Sequence, residues 1–214
     1  MKIFDLSHTI NNNMPVYPGM EKPAIINLAT VETKGWAEKR LTFSSHIGTH
    51  MDAPAHILES ADTLDKFHAD KFFGPACKVD LTNLPTNKID LPMLKKNKKI
   101  FEKAEFVLLN TGWNKYWNTE LYCGDFPTLT ADAAEWLCSL PIKGIGLDAI
   151  SVDCCLSENL PIHKILMSHN KLIIENLTNL YSLPDSGFYF SCFPLKIEEA
   201  DGSPVRAAAI LLNS

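Results

Sequence analysis

The sequence predicts an α/β fold, with residues 1–214 forming a single domain around a mixed, barrel-like β-sheet flanked by a few helices. Short apolar runs rich in Ile, Val and Phe recur along the whole chain and outnumber the segments with helical spacing. Strands and helices mix without strict alternation, which argues against a doubly wound parallel sheet. A chain of 214 residues is also long enough to bury a sizeable core without disulfides or structural metals.

The individual elements follow from these patterns. Continuous apolar runs predict nine strands, several of them buried on both faces: KIFDL (2–6), AIINLATV (24–31), KRLTFSS (39–45), ACKVDLT (76–82), FVLLNTG (106–112), KGIGLDAI (143–150), KLIIENL (171–177), FYFSCF (188–193) and VRAAAILL (205–212). Helical spacing predicts three helices, over 91–104, over 128–140 with Thr130 as the N-cap, and over 160–169 with Pro161 at its start.

The composition excludes several classes of partner. The net charge of -5 lacks the basic footprint of a nucleic-acid-binding protein, and no Lys/Arg run exceeds two residues, so a polybasic membrane patch is absent. No segment approaches the roughly 18 apolar residues that span a bilayer, and the N-terminus lacks an apolar run of signal-peptide length. We therefore expect a cytoplasmic protein. Its six cysteines form no C-x-x-C pair, so we expect free thiols.

The segment HIGTHMDAPAH, residues 46–56, contains three histidines and one aspartate within eleven residues. His46, His50, Asp52 and His56 all occupy even positions, so a strand would place them on one face. Taken singly, each could be an ordinary surface or hydrogen-bonding residue. Two histidines and a carboxylate together form a recurrent site for zinc, manganese or iron, so the segment predicts a metal site.

The spacing also constrains the backbone. In a straight strand His46 and His50 would lie about 13 Å apart, whereas each metal ligand must approach the ion to about 2 Å. The segment must therefore curl, and Gly48 and Pro54 are the positions where it can turn or be held rigid. One helical turn would bring His46 and His50 together, and Asp52 would then need a further change of direction before Pro54.

These residues resemble the H-x-G-T-H-x-D-x-P-x-H signature of the metal-dependent cyclase-like hydrolase family. That family includes bacterial kynurenine formamidases (arylformamidases) and isatin hydrolases. The resemblance extends over nearly the whole chain, through DLSHTI near the start, PVYPG, VLLNTGWNKYW, GIGLDAISVD, and the late His163 and Glu175. It implies a fold of the swivelling β/β/α type and an assembly that is a homodimer or a larger homo-oligomer.

The resemblance also assigns a ligand set. It implies that a first ion is bound by His46, His50 and Asp52. It implies that His163 and Glu175 complete the site, with Asp52 and Glu175 able to bridge a second ion. We therefore expect two divalent ions per subunit, zinc first, with manganese and iron as alternatives because no thiolate selects zinc.

His56 and Tyr17 carry the other implied roles. His56 resembles the family's catalytic base, and its alternatives are a further ligand or a hydrogen-bond partner of a ligand. Tyr17, in PVYPGM, lies where the family presents an aromatic side chain to the substrate, whereas the ordinary interpretation is a partly buried loop tyrosine. His8, in the LSHTI segment, is expected to be structural or to support a ligand.

The activity implied is hydrolysis of a carbon–nitrogen bond that is not a peptide bond, by metal-activated water with His56 as general acid and base. A kynurenine formamidase converts N-formyl-kynurenine to kynurenine and formate during tryptophan breakdown. Tyr17 and Met20 depart from the formamidase pattern, which usually has tryptophan at the first position and often aspartate at the second. Hydrolysis of a cyclic amide such as isatin, or of another small amide or lactone, is therefore an alternative.

Three other functions are weaker. Ring closure by dehydration is suggested by the family name "cyclase" and ranks below both kinds of hydrolysis. A thiol hydrolase would need a cysteine with a recognisable nucleophile context, and none of the six has one. A non-catalytic metal-binding or sensing protein would not need His56 beside its ligands.

Overall fold

A computed structural model describes residues 1–96, 98–155 and 157–212. The strands in these ranges are β1 (Lys2–Asp5), β2 (Ala24–Ala29), β3 (Glu38–Thr42), β4 (His50–Asp52), β5 (Phe73–Asp80), β6 (Lys88–Ile89), β7 (Phe106–Asn110), β8 (Thr128–Leu129), β9 (Gly144–Leu147), β10 (Leu172–Glu175), β11 (Phe188–Ser191), β12 (Gly202–Pro204) and β13 (Ala208–Leu211). The α-helices are α1 (Val31–Lys34), α2 (Leu91–Lys95), α3 (Ala131–Cys138) and α4 (Pro161–Ser168). None of the described helices has the length and apolar character needed to cross a bilayer.

Nine of these strands form one mixed sheet, in the order β1-β13-β11-β5-β7-β9-β10-β4-β12. The central strands β5, β7, β9 and β10 run parallel to one another, and the pairs on either side are antiparallel. The sheet curls into a half-barrel, which confirms the predicted mixed, barrel-like α/β architecture.

The central strands are buried on both faces because alternate residues point into different cores. In β7, Val107 and Leu109 pack into a core that is closed by α3 and α4. Their neighbours Phe106 and Leu108 pack into a second core on the opposite face, with aromatic residues of β11. The continuous apolar runs in the sequence are explained by this double burial.

Two strand predictions need a correction in their placement. AIINLATV and KRLTFSS form β2 and β3, but these pair only with each other, as a separate hairpin outside the main sheet. Most of their residues are exposed, so the apolar side chains that predicted a core strand lie at the surface.

The helix predictions are confirmed for α3 and α4, and Pro161 does open α4. Thr130 is the N-cap residue of α3, yet its hydroxyl faces the Ile89 carbonyl and the Asp132 carboxylate and does not cap the helix. The helix predicted over 91–104 is wrong as one element. The segment contains α2, whose N-terminus is capped by the Asp90 side chain, and then a 3₁₀ turn over Lys98–Phe101. Asn97, between them, lies outside the described residues.

Candidate metal centre

The signature segment changes direction at the two predicted positions. Gly48 adopts a left-handed φ of +60°, and a Cβ there would come within 3.0 Å of the Met14 side chain. The chain then enters β4, and Pro54 opens a single 3₁₀ turn over Pro54–His56. The segment therefore curls as predicted. The helical turn predicted between His46 and His50 is wrong. Gly48 adopts a left-handed conformation between the two histidines, and His50 already belongs to β4.

The sheet completes the site by pairing β4 with two distant strands. In the antiparallel pair with β10, Glu175 lies opposite His50. In the antiparallel pair with β12, Gly202 lies opposite Asp52. His163 comes from the first turn of α4, and all of the predicted ligands thus reach one place.

Asp52 lies at the centre of this cluster. Its Oδ1 is 2.7 Å from Nδ1 of His46 and 3.3 Å from Nε2 of His50. Its Oδ2 lies on the side of His163, 3.7 Å from that residue's Nε2, which is too long for a hydrogen bond. Glu175 closes the other side, 3.4 Å from Nε2 of His50 and 3.5 Å from Nε2 of His163.

This donor set fits divalent cations. Two groups of potential ligands share Asp52: one with His46 and His50, the other with His163 and Glu175. The Oδ2 atom of Asp52 is buried and receives no hydrogen bond from the described residues. A buried carboxylate oxygen without a partner is costly, and a bound cation would satisfy it.

Two of the histidines have their second ring nitrogen held by a fixed acceptor. Nδ1 of His50 donates to the Gly48 carbonyl at 2.8 Å, so in the neutral ring Nε2 carries the lone pair. Nδ1 of His163 lies 2.8 Å from Asp153, which also accepts the backbone N–H groups of Ile162 and His163. Such partners fix the tautomer and the ring orientation of a metal ligand.

The electrostatics favour positive charge inside the cluster. Burial opposes protonation of His46, but Asp52 and Asp201 outweigh it and raise its pKa to about 9. Burial also opposes the charged form of His163, yet the surrounding carboxylates raise its pKa well above the usual range. Burial opposes ionisation of Asp52, but the neighbouring histidines hold its pKa well below the usual range. The cluster stabilises cationic charge, which protons or metal ions can supply.

His56 lies beside the ligands, at the end of the 3₁₀ turn. Its ring centroid is 3.9 Å from that of His46 and 6.0 Å from that of His163. Its Nδ1 lies 3.5 Å from Oδ2 of Asp201. Burial lowers the pKa of His56, which leaves the ring neutral and able to accept a proton.

The cluster forms the floor of a cavity of about 320 Å³, within the range of small-molecule sites. Its walls are mostly apolar and include Tyr17, Met20, Ile47, Ile150 and Leu160. The Tyr17 hydroxyl donates to the Cys155 carbonyl at 3.3 Å, and this hydrogen bond fixes the Tyr17 ring in the cavity wall. Burial raises the pKa of this phenol, which therefore stays protonated.

His8 lies outside the cavity. Its backbone N–H donates to Thr49, and its ring stacks on Trp117 with centroids 3.8 Å apart. Burial lowers its pKa to about 4, so the ring is neutral. This environment fits the predicted structural role.

Four of the six cysteines are held in environments that disfavour a nucleophilic thiolate. The thiol of Cys155 donates to the Cys123 carbonyl, and burial raises its pKa to about 11. The thiols of Cys123, Cys138 and Cys192 also face backbone carbonyls, and burial raises the pKa of each. A thiol held protonated in this way is a poor nucleophile.

Three site residues escaped the sequence analysis. Asp153 and Asp201 hold the far nitrogens of His163 and His46. Asn176 donates to the Gly48 carbonyl at 2.8 Å and accepts from the buried Tyr122 hydroxyl at 2.7 Å, which supports the turn before His50. The sequence signal for Asp153 was a carboxylate at the end of the apolar run GIGLDAISVD, shortly before Pro161. Asp201 and Asn176 carried no comparable signal.

Comparisons with known proteins identify relatives of this chain and solved structures with a similar fold. The family model described as "Putative cyclase" matches residues 4–154. A kynurenine formamidase from Bacillus cereus is 32% identical over 207 residues, which cover 95% of this chain and 94% of the relative. The crystal structure of an isatin hydrolase bound to the product analogue thioisatinate has the same fold, with a TM-score of 0.91 and 23% identity over 99% of this chain and 93% of that one. A potential metal-dependent hydrolase with cyclase activity superposes with a TM-score of 0.83 and 28% identity, covering 100% and 99% of the two chains.

Proposed function

This chain belongs to the cyclase family, and from that premise we propose that it hydrolyses a small non-peptide amide at a centre of two divalent metal ions. The observation that carries the proposal is the position of Asp52. This buried carboxylate has His46 and His50 beside Oδ1 and His163 on the side of Oδ2, and it forms a second potential ligand group with His163 and Glu175. A carboxylate shared between two groups of ligands would hold two ions close together, as two-metal catalysis needs.

The residues suggest which ions fit. His46, His50 and Asp52 would hold one ion, and Asp52, His163 and Glu175 the other. Zinc is the first choice, and manganese or iron would suit the same nitrogen and oxygen donors. Such an ion polarises a substrate carbonyl and lowers the pKa of water from 15.7 to about 7.

The protein's own side chains would then manage protons and orientation. His56 stands beside the ligands with a neutral ring, so it can take a proton from the attacking water and deliver it to the leaving nitrogen. The apolar cavity wall would exclude water and accept an aromatic ring, with Tyr17 as a fixed contact. Water adds to the carbonyl carbon, the carbon–nitrogen bond breaks, and a carboxylic acid and an amine are released.

We propose N-formyl-kynurenine as the substrate, with formate and kynurenine as products. The relatives named kynurenine formamidase, at about 30% identity over almost the whole chain, support this choice. A cyclic amide such as isatin is the second candidate. The two departures from the formamidase pattern, Tyr17 and Met20, both line the cavity, where they would change substrate selection and leave the ligands untouched.

Turnover of a small panel tests the proposal: N-formyl-kynurenine, isatin and formanilide, each with zinc or manganese supplied. We expect hydrolysis of at least one aryl amide, its loss on chelation, its recovery when metal is returned, and no loss with a thiol reagent. Activity that survives chelation but not the thiol reagent would indicate a cysteine nucleophile. Stoichiometric metal without turnover of any amide would indicate a metal-binding protein.

A further inference from the structure

His46 is held differently from the other two candidate histidine ligands. The far nitrogens of His50 and His163 face buried acceptors, a backbone carbonyl and Asp153. Nε2 of His46 instead lies 2.9 Å from Oδ2 of Asp201, whose side chain is 46% exposed. The nitrogen nearer the cluster, Nδ1, faces Asp52.

The backbone around Asp201 is anchored to the strand that carries Asp52. The Asp201 carbonyl accepts the backbone N–H of Ala53 at 2.8 Å. The next residue, Gly202, lies opposite Asp52 in the antiparallel pair of β4 and β12. Asp201 therefore keeps a fixed distance from the candidate ligands, although its carboxylate reaches the surface.

Gly202 leaves room for the His46 ring. A Cβ built on Gly202 would lie 2.5 Å from Cε1 and 2.7 Å from Nε2 of His46, closer than any real contact allows. Because β12 is extended at this position, the backbone itself would accept alanine. The requirement for glycine therefore comes from the histidine ring that packs on it.

We propose that Asp201 and Gly202 form a seat for His46 and act as positioning residues for the metal centre. Gly202 sets where the ring lies, and Asp201 accepts the Nε2–H. In the metal-free protein Nδ1 donates to Asp52 at 2.7 Å; once an ion replaces that proton, the hydrogen bond from Nε2 to Asp201 would hold the tautomer whose Nδ1 lone pair binds the ion. The inference rests on the proposed role of His46 as a ligand.

Asp201 also lies close to His56. Oδ2 of Asp201 lies 3.5 Å from Nδ1 of His56, so one carboxylate touches both a candidate ligand and the candidate base. His46, His56 and Asp201 could by geometry hold an ion of their own. If Asp201 is a ligand, its replacement should lower the number of ions bound at saturation. If Asp201 is a positioning residue, its replacement should lower only the affinity. The number of bound ions therefore distinguishes the two roles.

The test is zinc affinity, measured by competition with a chromophoric zinc chelator, in the wild-type protein and three variants. Asp201→Asn removes the charge, and Gly202→Ala displaces the ring. Glu199→Gln is the matched control, because Glu199 is an exposed carboxylate in the same surface segment and the ion pairs to histidine among the described residues do not include it. Thermal unfolding of the metal-free proteins shows whether each variant is folded.

We expect both seat variants to bind zinc about 10- to 100-fold more weakly, the usual effect of losing a partner that orients a ligand, and the control to match the wild type. At saturating zinc, Asp201→Asn should regain the wild-type number of ions. Unchanged affinity in Asp201→Asn would overturn the inference and leave the proposed function standing. One ion fewer at saturation would make Asp201 a ligand, which also overturns it. Failure of the wild type to bind zinc, manganese or iron would overturn both proposals.

Discussion

Oε2 of Glu175 lies 3.4 Å from Nε2 of His50, although the two residues belong to distant parts of the chain. They meet because β10 and β4 pair antiparallel with these residues opposite each other. These two candidate ligands are therefore placed by a sheet whose two cores consist of other residues. Removal of a ligand should accordingly impair function much more than folding.

His50→Ala should lose most bound metal and most activity while it remains folded. His50 contributes Nε2 to the cluster, and neither apolar core contains it. Metal analysis, turnover and circular dichroism on one preparation check this prediction, with the exposed His169→Ala as the control. Full metal content in His50→Ala would contradict the assignment of this residue.

Tyr17→Ala should raise KM for an aryl amide more than it lowers kcat. An aromatic contact contributes about 0.5–1.5 kcal/mol beyond its buried area, so a rise of roughly tenfold in KM is expected if Tyr17 only binds the substrate. Tyr17→Phe keeps the ring and loses only the hydrogen bond to Cys155, so its KM should stay near that of the wild type. A large fall in kcat with unchanged KM would place Tyr17 in the chemical step.

Acid should destabilise the protein partly through His8. Burial lowers its pKa to about 4, below the value of about 6.5 in an unfolded chain, so the unfolded state binds the proton more tightly. Its contribution to the free energy of unfolding is present above pH 6.5 and is lost as the pH falls towards 4. His8→Phe keeps the stack on Trp117 without a titrating group. Urea unfolding of the metal-free proteins at pH 7 and pH 5 should show a smaller loss for the variant; equal losses would refute the role of His8.

The fold and the metal centre were predictable to different extents. The apolar runs of the central strands predicted strands because double burial leaves long apolar segments, as in β7. The strand β4 escaped because it is only three residues long and consists of His50, Met51 and Asp52. Its position is set by pairing with β10 and β12, which no local pattern reveals.

The same limit applies within the site. The spacing of the signature predicted that His46, His50 and Asp52 act together, because all three fall in one short segment. Asp201 became visible only when the antiparallel register placed Gly202 opposite Asp52. Residues that orient ligands from distant strands depend on tertiary pairing, so one sequence alone does not identify them.

The central claim is that the ions are held without His56 and that His56 moves the proton. Metal content and kcat of His56→Ala, measured on the same preparation, test this most directly. Because general acid–base help contributes a factor of about 10²–10⁴ to a rate, we expect both ions and substrate binding to persist while kcat falls by that factor. Loss of an ion together with the activity would contradict the claim, since His56 would then be a ligand and the base would have to be another residue.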